Sequence, residues 1–203
     1  MVDPQQLWWC PTGPFAFLPI HAAGIYSPNG TDCVSDYVIS SYTPTLTALL
    51  DPPTRTAPWF KMTAVIQPDA PDCSPLPGAE QELKKIVQRV PNQWLTSLQS
   101  TTVETALNHL QDSSIVHFAC HGTQDLENPL NSGLILSDGR LDVARIMHTP
   151  LDGDVDMMKN SIKLAFLSAC ETAKGDAHTP DEAIHLASTL LFARFCGVVA
   201  TMW

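Results

Sequence analysis

Residues 114–122 read SIVHFACHG, an apolar run that ends in a cysteine, a histidine and a glycine. An apolar run without polar alternation is typical of a strand that is buried on both faces, as in a covered parallel sheet. Residues 163–170, KLAFLSAC, repeat the pattern of an apolar run, a small residue and a cysteine. Because reactive groups gather beyond the carboxyl ends of parallel strands, these two runs predict both the fold and the place of its chemistry.

Strands and helices alternate on both sides of the opening run. Further strand candidates are rich in β-branched and aromatic residues: LWWC at 7–10, YVISSY at 37–42, FKMTAVIQ at 60–67, WLTSLQ at 94–99 and VVATMW at 198–203. Helices are predicted for TPTLTALL at 43–50, AEQELKKIVQRV at 79–90, TTVETALNHLQD at 101–112, DVARIMHT at 142–149 and the segment from Thr179 to Cys196. This alternation predicts a three-layer α/β fold, with a mainly parallel sheet and helices on both faces.

Several local signals predict where these elements end. Thr43 is predicted to cap the first helix, and Thr101 with Glu104 to form a capping box. Asp138-Gly139 between two apolar runs predicts a hairpin turn. The buried side of the helix at 79–90 is predicted to be an apolar stripe: Leu83, Ile86, Val87 and Val90.

Length and one irregular segment indicate the domain organisation. A chain of 203 residues fits one large domain or two small ones, and we expect a single domain over 1–203. Within it we distinguish a strand and helix portion at 1–67, a proline-rich loop at 68–78 and a catalytic portion at 79–203. The loop reads PDAPDCSPLPG, and its four prolines and one glycine exclude regular structure. Because the chain stops at Trp203 within an apparent strand, we expect the domain to be incomplete at this C-terminus.

Composition excludes several classes of partner. The formal net charge is −10 and the longest basic cluster is Lys84-Lys85, so nucleic acid would be repelled. No apolar stretch reaches the roughly 18 residues that span a bilayer, so no membrane contact is predicted. Six cysteines are spread through the chain without a CxxC pair or a secretory signal. This pattern predicts reduced thiols in the cytoplasm, no metal site and no cofactor.

The two strand ends supply a cysteine and a histidine that suit nucleophilic catalysis. Cys170 follows His121 by 49 positions. A cysteine nucleophile needs a base that removes its proton, and a histidine side chain, with an ordinary pKa near 6.5, does this at neutral pH. The same histidine can protonate the leaving amine in acyl transfer. Gly122 lets a substrate carbonyl approach the backbone without a Cβ in the way.

Other residues have interpretations that compete with catalysis. A free cysteine such as Cys170 is usually a small buried hydrophobic residue, and Cys120 is a rival thiol. Since neighbouring residues of a strand point to opposite faces, Cys120 beside His121 is expected to pack in the core. Three histidines on apolar stretches are interpreted as hydrogen-bonded core residues: His21, His117 and His185.

Several segments resemble the CHAT domain family, caspase-like cysteine peptidases that are related to separase and caspases and often attached to tetratricopeptide repeats. They are HFACHG at 117–122, LSACETAKG at 167–175 and DEAIHLASTLLFARFCGVVATMW at 181–203. Two further segments, WWCPTGPFAFLPIHAAGIY at 8–26 and SYTPTLTALL at 41–50, resemble fungal members. The resemblance implies a caspase-like fold, with His121 as the catalytic histidine and Cys170 as the nucleophile. It also implies an oxyanion hole formed by the N–H groups of Gly122 and Cys170.

The leading functional hypothesis is a cysteine endopeptidase that hydrolyses protein or peptide substrates through an acyl-enzyme on Cys170. Caspases share the order of histidine and cysteine, about 50 residues apart. Glu171, Asp176 and Asp125 are candidates for lining the substrate cleft. Asp125, Glu127 and Asp176 are also candidates for an acidic pocket that would select lysine or arginine, and attached or partner tetratricopeptide repeats are implied by the family.

Two other hypotheses remain open. The first is a non-catalytic interaction or signalling module that keeps the fold. It is motivated by the apparent truncation, by the absence of an obvious third group that would orient His121 and by an acidic surface that favours basic peptides. The second is a redox thiol at Cys170, whose reactivity would not depend on His121.

Overall fold

The computed structural model describes residues 5–50, 60–110, 112–125, 127–148, 164–168, 186–192 and 195–200. The described residues divide into two compact units. One unit holds the described residues up to 50, and the other holds those from 60 onward.

The first unit consists of two small pairs of strands and a short helix. β1 (Gln5–Trp9) pairs in parallel with β4 (Val38–Tyr42), and β2 (Gly24–Ser27) pairs antiparallel with β3 (Gly30–Cys33). α1 (Thr47–Leu50) follows β4. Three 3₁₀ helices complete the unit: Gly13–Phe17, Ile20–Ala22 and Val34–Asp36. The strands predicted from LWWC and YVISSY are confirmed.

The predicted cap of the first helix is wrong, because α1 begins four residues after Thr43. Thr43 is buried, and its amide donates to the carbonyl oxygen of Trp9 at 2.9 Å. Its hydroxyl donates to the carbonyl oxygen of Thr45 at 2.7 Å. Since its amide is already bonded to the end of β1, Thr43 extends the pairing of β1 with β4 instead of starting a helix.

The second unit contains the remaining strands and helices of the described chain. The strands are β5 (Met62–Ile66), β6 (Leu95–Gln99), β7 (Ile115–Ala119), β8 (His121–Thr123), β9 (Gly133–Leu136), β10 (Gly139–Asp142), β11 (Leu164–Leu167) and β12 (Val198–Ala200). The helices are α2 (Pro77–Val87), α3 (Val103–Leu110), α4 (Val143–His148) and α5 (Leu186–Phe192), with 3₁₀ helices at Asn92–Trp94 and Pro129–Asn131.

Five of these strands form a parallel sheet in the order β12-β11-β7-β5-β6. Successive side chains point to opposite faces, which separates two cores. On one face Val65, Phe118 and Leu167 pack with residues of α3 and α5. On the other face Ala64 and Ile66 pack with residues of α2. Helices therefore cover both faces, and the predicted three-layer α/β fold with a mainly parallel sheet is confirmed.

A smaller antiparallel sheet has the order β10-β9-β8. β9 and β10 form the hairpin that Asp138-Gly139 predicts, and Gly139 has a φ of 146°, which a residue with a Cβ rarely adopts. β8 is a strand that the sequence did not predict. It pairs antiparallel with β9, with His121 opposite Ile135.

α3 begins at Val103, and the capping box predicted from Thr101 and Glu104 is wrong. Thr101 is buried, and its carbonyl oxygen accepts hydrogen bonds from the hairpin, which keeps it outside the helix. The amide of Val103 instead donates to Asp138 Oδ1 at 2.8 Å. Thr102 Oγ1 accepts a second bond from the first turn, at 3.2 Å.

α2 begins at Pro77, so the irregular segment is shorter than the predicted 68–78 and ends at residue 76. Leu83 and Ile86 pack against the sheet as predicted. Val87 is 47% exposed and does not belong to the buried stripe. The predicted start of the last helix, from Thr179, lies outside the described residues.

Candidate active site

His121 lies where the chain leaves the parallel sheet. β7 ends at Ala119, and after Cys120 the chain enters β8, whose first residue is His121. The chain just before His121 thus belongs to the central parallel strand β7, while the backbone of His121 itself pairs with Ile135 of β9 in the hairpin. Two sheets therefore fix the backbone from which the half-buried imidazole extends. The carboxyl end of a central strand is the place where reactive groups gather in such folds.

A backbone carbonyl from the proline-rich loop holds the imidazole. His121 Nε2 lies 2.7 Å from the carbonyl oxygen of Ser74. A carbonyl oxygen only accepts hydrogen bonds, so Nε2 carries the ring proton and donates the hydrogen bond. In the neutral ring Nδ1 then keeps the lone pair that can take up a proton. The loop thus selects one tautomer of His121.

The strands that precede His121 and Cys170 are parallel neighbours in register. Leu167 of β11 pairs with Phe118 of β7, and the amide of Ser168 donates to the carbonyl oxygen of Phe118 at 2.8 Å. His121 and Cys170 each follow this pair by three positions in the sequence. Cys170 lies outside the described residues, so its contact with His121 stays a prediction.

The oxyanion hole also stays a prediction. Gly122 lies in β8, opposite Leu134 of β9, directly after the candidate base. The other predicted donor is the amide of Cys170, which lies outside the described residues.

Glu82 of α2 bridges the two neighbouring strands. Its Oε2 accepts a hydrogen bond from His117 Nε2 at 2.8 Å, and its Oε1 accepts one from the hydroxyl of Ser168 at 2.6 Å. His117 is 7% exposed and stacks on Phe166 of β11, with ring centroids 5.1 Å apart. The interpretation of His117 as a hydrogen-bonded core residue is confirmed.

Cys120, the rival thiol, is buried in the main core. It is fully inaccessible and packs with residues of α3 and α5. Burial disfavours the thiolate and raises the pKa of Cys120 to about 12. The prediction that Cys120 packs in the core is confirmed, and its thiol is unsuited to nucleophilic attack at neutral pH.

Asp125, a candidate for the cleft, is engaged by its own loop. Its Oδ1 accepts bonds from the amides of Glu127, at 3.1 Å, and Asn128, at 2.8 Å, and its Oδ2 accepts one from Asn131 Nδ2 at 3.2 Å. The bond from the Asn128 amide, followed by that from the Asn131 side chain, lowers the pKa of Asp125. The contribution of Asp125 to a substrate cleft stays a prediction.

The other sequence candidates have mixed outcomes. His21 is half-buried, and its Nδ1 lies 2.9 Å from the hydroxyl of Tyr42, so it is hydrogen-bonded as expected. Glu171, Asp176 and His185 lie outside the described residues, and their roles stay predictions.

Sequence reasoning missed Ser74 and Glu82. Ser74 acts through its backbone, so its side chain carries no signal, although a proline-rich loop does leave carbonyl groups without a ladder partner. Glu82 did carry a signal. It follows Ala79 by three positions and precedes Ile86 by four, on the side of α2 that packs against the sheet. An acidic residue on such a side needs a partner.

Two surveys of the described residues bear on cofactors and membranes. No group of three or more His, Cys, Asp or Glu residues within the described ranges could hold a metal ion. None of the helices described here is long and apolar enough to cross a membrane.

Comparison with known protein families gives a match over nearly the whole chain. The sequence model described as CHAT domain matches residues 2–203, which is nearly the whole chain. No curated protein gives a significant sequence match.

Proposed function

The chain belongs to the CHAT domain family, and we propose that it is a cysteine endopeptidase in which Cys170 is the nucleophile and His121 the general base and acid. The observation that carries this proposal is the bond from His121 Nε2 to the carbonyl oxygen of Ser74. It leaves the lone pair on Nδ1 of an imidazole at the end of β7. The neighbouring strand β11 runs in register toward Cys170.

The proposed reaction begins with proton transfer from the Cys170 thiol to Nδ1 of His121. The thiolate attacks the carbonyl carbon of the scissile peptide bond, which forms a C–S bond and places a negative charge on the carbonyl oxygen. The amides of Gly122 and Cys170 stabilise this oxyanion. The C–N bond then breaks as Nδ1 returns the proton to the leaving amine, and a thioester remains on Cys170.

Hydrolysis of the thioester reuses the same groups. Nδ1 of His121 takes a proton from water as the oxygen attacks the thioester carbonyl carbon, and the C–S bond breaks to release a carboxylic acid. The proton returns to the sulfur, which regenerates the thiol. Throughout the cycle the Ser74 carbonyl oxygen accepts a hydrogen bond from the Nε2–H group of His121, as a third group does in other nucleophile and base pairs.

Glu171, Asp176 and Asp125 are proposed to line the substrate cleft. Asp125 is two positions beyond β8, and its carboxylate is already bonded to the following loop. We therefore propose that this residue shapes the cleft through its loop. A preference for lysine or arginine before the scissile bond would rest on an acidic pocket formed by Asp125, Glu127 and Asp176.

The direct test is cleavage by the full chain of fluorogenic peptides that carry lysine, arginine, aspartate or leucine before the scissile bond. Cys170→Ala and His121→Ala are each expected to lower kcat/KM by at least about a thousandfold. Cys10→Ala and His148→Ala, which replace exposed residues of the same types, are matched controls and should cleave like the wild type. Cleavage that persists unchanged in Cys170→Ala would exclude the proposed mechanism.

A second candidate function is a non-catalytic interaction module, and one observation favours it. The first unit exposes large apolar side chains, among them Ile25 at 71% and Tyr37 at 65%. A complex of the full chain that forms equally well with Cys170→Ala, together with no hydrolysis of any peptide by the wild type, would favour this function over the peptidase.

The cellular setting is also a proposal. Four of the described cysteines, Cys10, Cys33, Cys73 and Cys120, form no disulfide, which suits a reducing compartment, and we propose that the protein acts in the cytoplasm. Attached or partner tetratricopeptide repeats follow from the family's habit alone, and the fungal affiliation stays a prediction. Fractionation of cells that express the full chain, followed by cross-linking, would test the location and the partners.

A further inference from the structure

Glu82 is an acidic residue on the side of α2 that faces the parallel sheet. Ala79 and Ile86, on the same side of the helix, pack against Ala64 and Ile66. The side chain of Glu82 is 34% exposed, so about two thirds of its surface is withdrawn from water. A carboxylate in such a position is costly unless both oxygens find donors.

Both oxygens of Glu82 have donors, and the donors belong to different strands. His117 Nε2 of β7 donates to Oε2, and the hydroxyl of Ser168, directly after β11, donates to Oε1. An ionised carboxylate only accepts, so one rigid group joins the two strands. Bonds to a charged acceptor are roughly twice as strong as bonds between neutral groups.

The bridge lies close in sequence to the proposed catalytic residues. His117 precedes His121 by four positions, and Ser168 precedes Cys170 by two. Ser168 is also tied to β7 through its amide, which donates to the carbonyl oxygen of Phe118. The stacking of His117 on Phe166 adds a third contact between the same strands.

The segment from Ser74 to Glu82 therefore reaches both strand ends. Its first residue holds the imidazole of His121, and its last residue holds Ser168 and His117. We propose that Glu82 is a positioning residue, which fixes the spacing of β7 and β11 at the ends that lead to His121 and Cys170. The effect of this bridge on catalysis rests on the proposed function. The hydrogen bonds that form the bridge do not depend on it.

The first test is independent of catalysis and measures amide hydrogen exchange by NMR in the full chain. In Glu82→Ala the amide of Ser168 should exchange at least about tenfold faster relative to that of Ala64, whose exchange reports the opening of the neighbouring strand β5. The matched control is Glu80→Ala, an exposed position on the same helix, where this ratio should stay within about twofold. An unchanged ratio in Glu82→Ala would overturn the proposal.

Two further variants distinguish loss of the bridge from a general loss of stability. Glu82→Gln keeps an oxygen acceptor for Ser168, so the exchange ratio should return close to that of the wild type. Ser168→Ala removes one donor with little change in volume, and its effect should not add to that of Glu82→Ala, because both remove the same bond. Fully additive effects in the double variant would contradict a shared contact.

The second test measures peptide cleavage by the same variants. Misplacement of reacting groups by about 1 Å can cost a hundredfold, so Glu82→Ala should lower kcat by about ten to a hundredfold with KM nearly unchanged. Glu82→Gln should restore most of kcat. If the exchange ratio rises while cleavage by the wild type never occurs, the proposed function fails and the bridge stands. If the wild type cleaves through Cys170 and kcat of Glu82→Ala is unchanged, the positioning role fails alone.

Discussion

His121 donates from Nε2 to the carbonyl oxygen of Ser74, and this bond decides which ring nitrogen can act as a base. A carboxylate in the same place would select the same tautomer and would also stabilise the protonated ring by its charge. A backbone carbonyl contributes only a dipole, so the orientation of the ring is its main effect. A base can therefore be oriented without a third side chain.

Cys120 provides a prediction for a single thiol. Because burial raises its pKa to about 12, the folded chain holds Cys120 almost entirely protonated at neutral pH. Iodoacetamide at pH 7.5 should therefore modify Cys120 at least about a hundredfold more slowly than exposed Cys10. Peptide mass spectrometry after timed quenching measures both rates.

The same shift predicts the pH dependence of stability. The folded pKa of Cys120 lies above that of a free thiol, near 8.5, so its contribution to stability is fully present below about pH 8.5 and is lost as the pH rises toward 12. Cys120→Ala should remove this alkaline loss. Modification of Cys120 at the rate of Cys10 in the folded chain would contradict the burial of the thiol.

The pKa of Asp125 is lowered, whereas that of Cys120 is raised, so the predicted pH dependence of stability has the opposite direction. The amide of Asn128 and the side chain of Asn131 hold its pKa below the ordinary 3.8, so the carboxylate stabilises the loop above that pH. This contribution is lost as the pH falls through the lowered folded pKa. Carbon-detected NMR titration of the carboxyl group should give a midpoint below that of a peptide containing residues 121–133. A midpoint at or above the peptide value would show that these bonds do not form.

At the scale of elements, helix α3 shows why sequence signals for caps are ambiguous. Thr101 and Glu104 have the spacing of a capping box, yet the amide of Val103 finds its acceptor on Asp138 of the hairpin. The spacing of Thr101 and Glu104 correctly predicted that a helix begins near residue 103. It could not predict a partner 35 positions away, because that partner arrives only when the hairpin packs against the helix.

The Asp138 cap can be tested by its contribution to stability. Asp138→Ala removes the acceptor of the Val103 amide and should lower the free energy of unfolding by about 1 kcal/mol. Asp138→Asn keeps an acceptor oxygen and should lose less. Asp112→Ala, which removes an exposed carboxylate 3.9 Å from Lys61, is the matched control and should change stability by less than about 1 kcal/mol. Urea unfolding measures all three, and equal losses in Asp138→Ala and Asp112→Ala would argue against the cap.

At the scale of the whole molecule, the parallel sheet and its two covered faces were predictable from unbroken apolar runs such as IVHFA at 115–119. The hairpin was predictable from Asp138-Gly139. Strand β8 was not, because His121, Gly122 and Thr123 carry no apolar pattern and are extended only through pairing with β9. The position of Glu82 signalled that it needs a partner, but its partners and the contact of Ser74 could not be predicted, since they join a helix and a loop to strands far along the chain.

The most direct test of the account is the pH dependence of alkylation at Cys170, in the wild type and in His121→Ala. A free thiol has a pKa near 8.5, so only about 1% is ionised at pH 6.5. If His121 removes the Cys170 proton, iodoacetamide should modify Cys170 rapidly at pH 6.5, and His121→Ala should slow this by at least about tenfold. Buried Cys120 is the internal comparison in the same digest. A Cys170 that reacts only as the pH approaches 8.5, equally with and without His121, would contradict the proposed dyad.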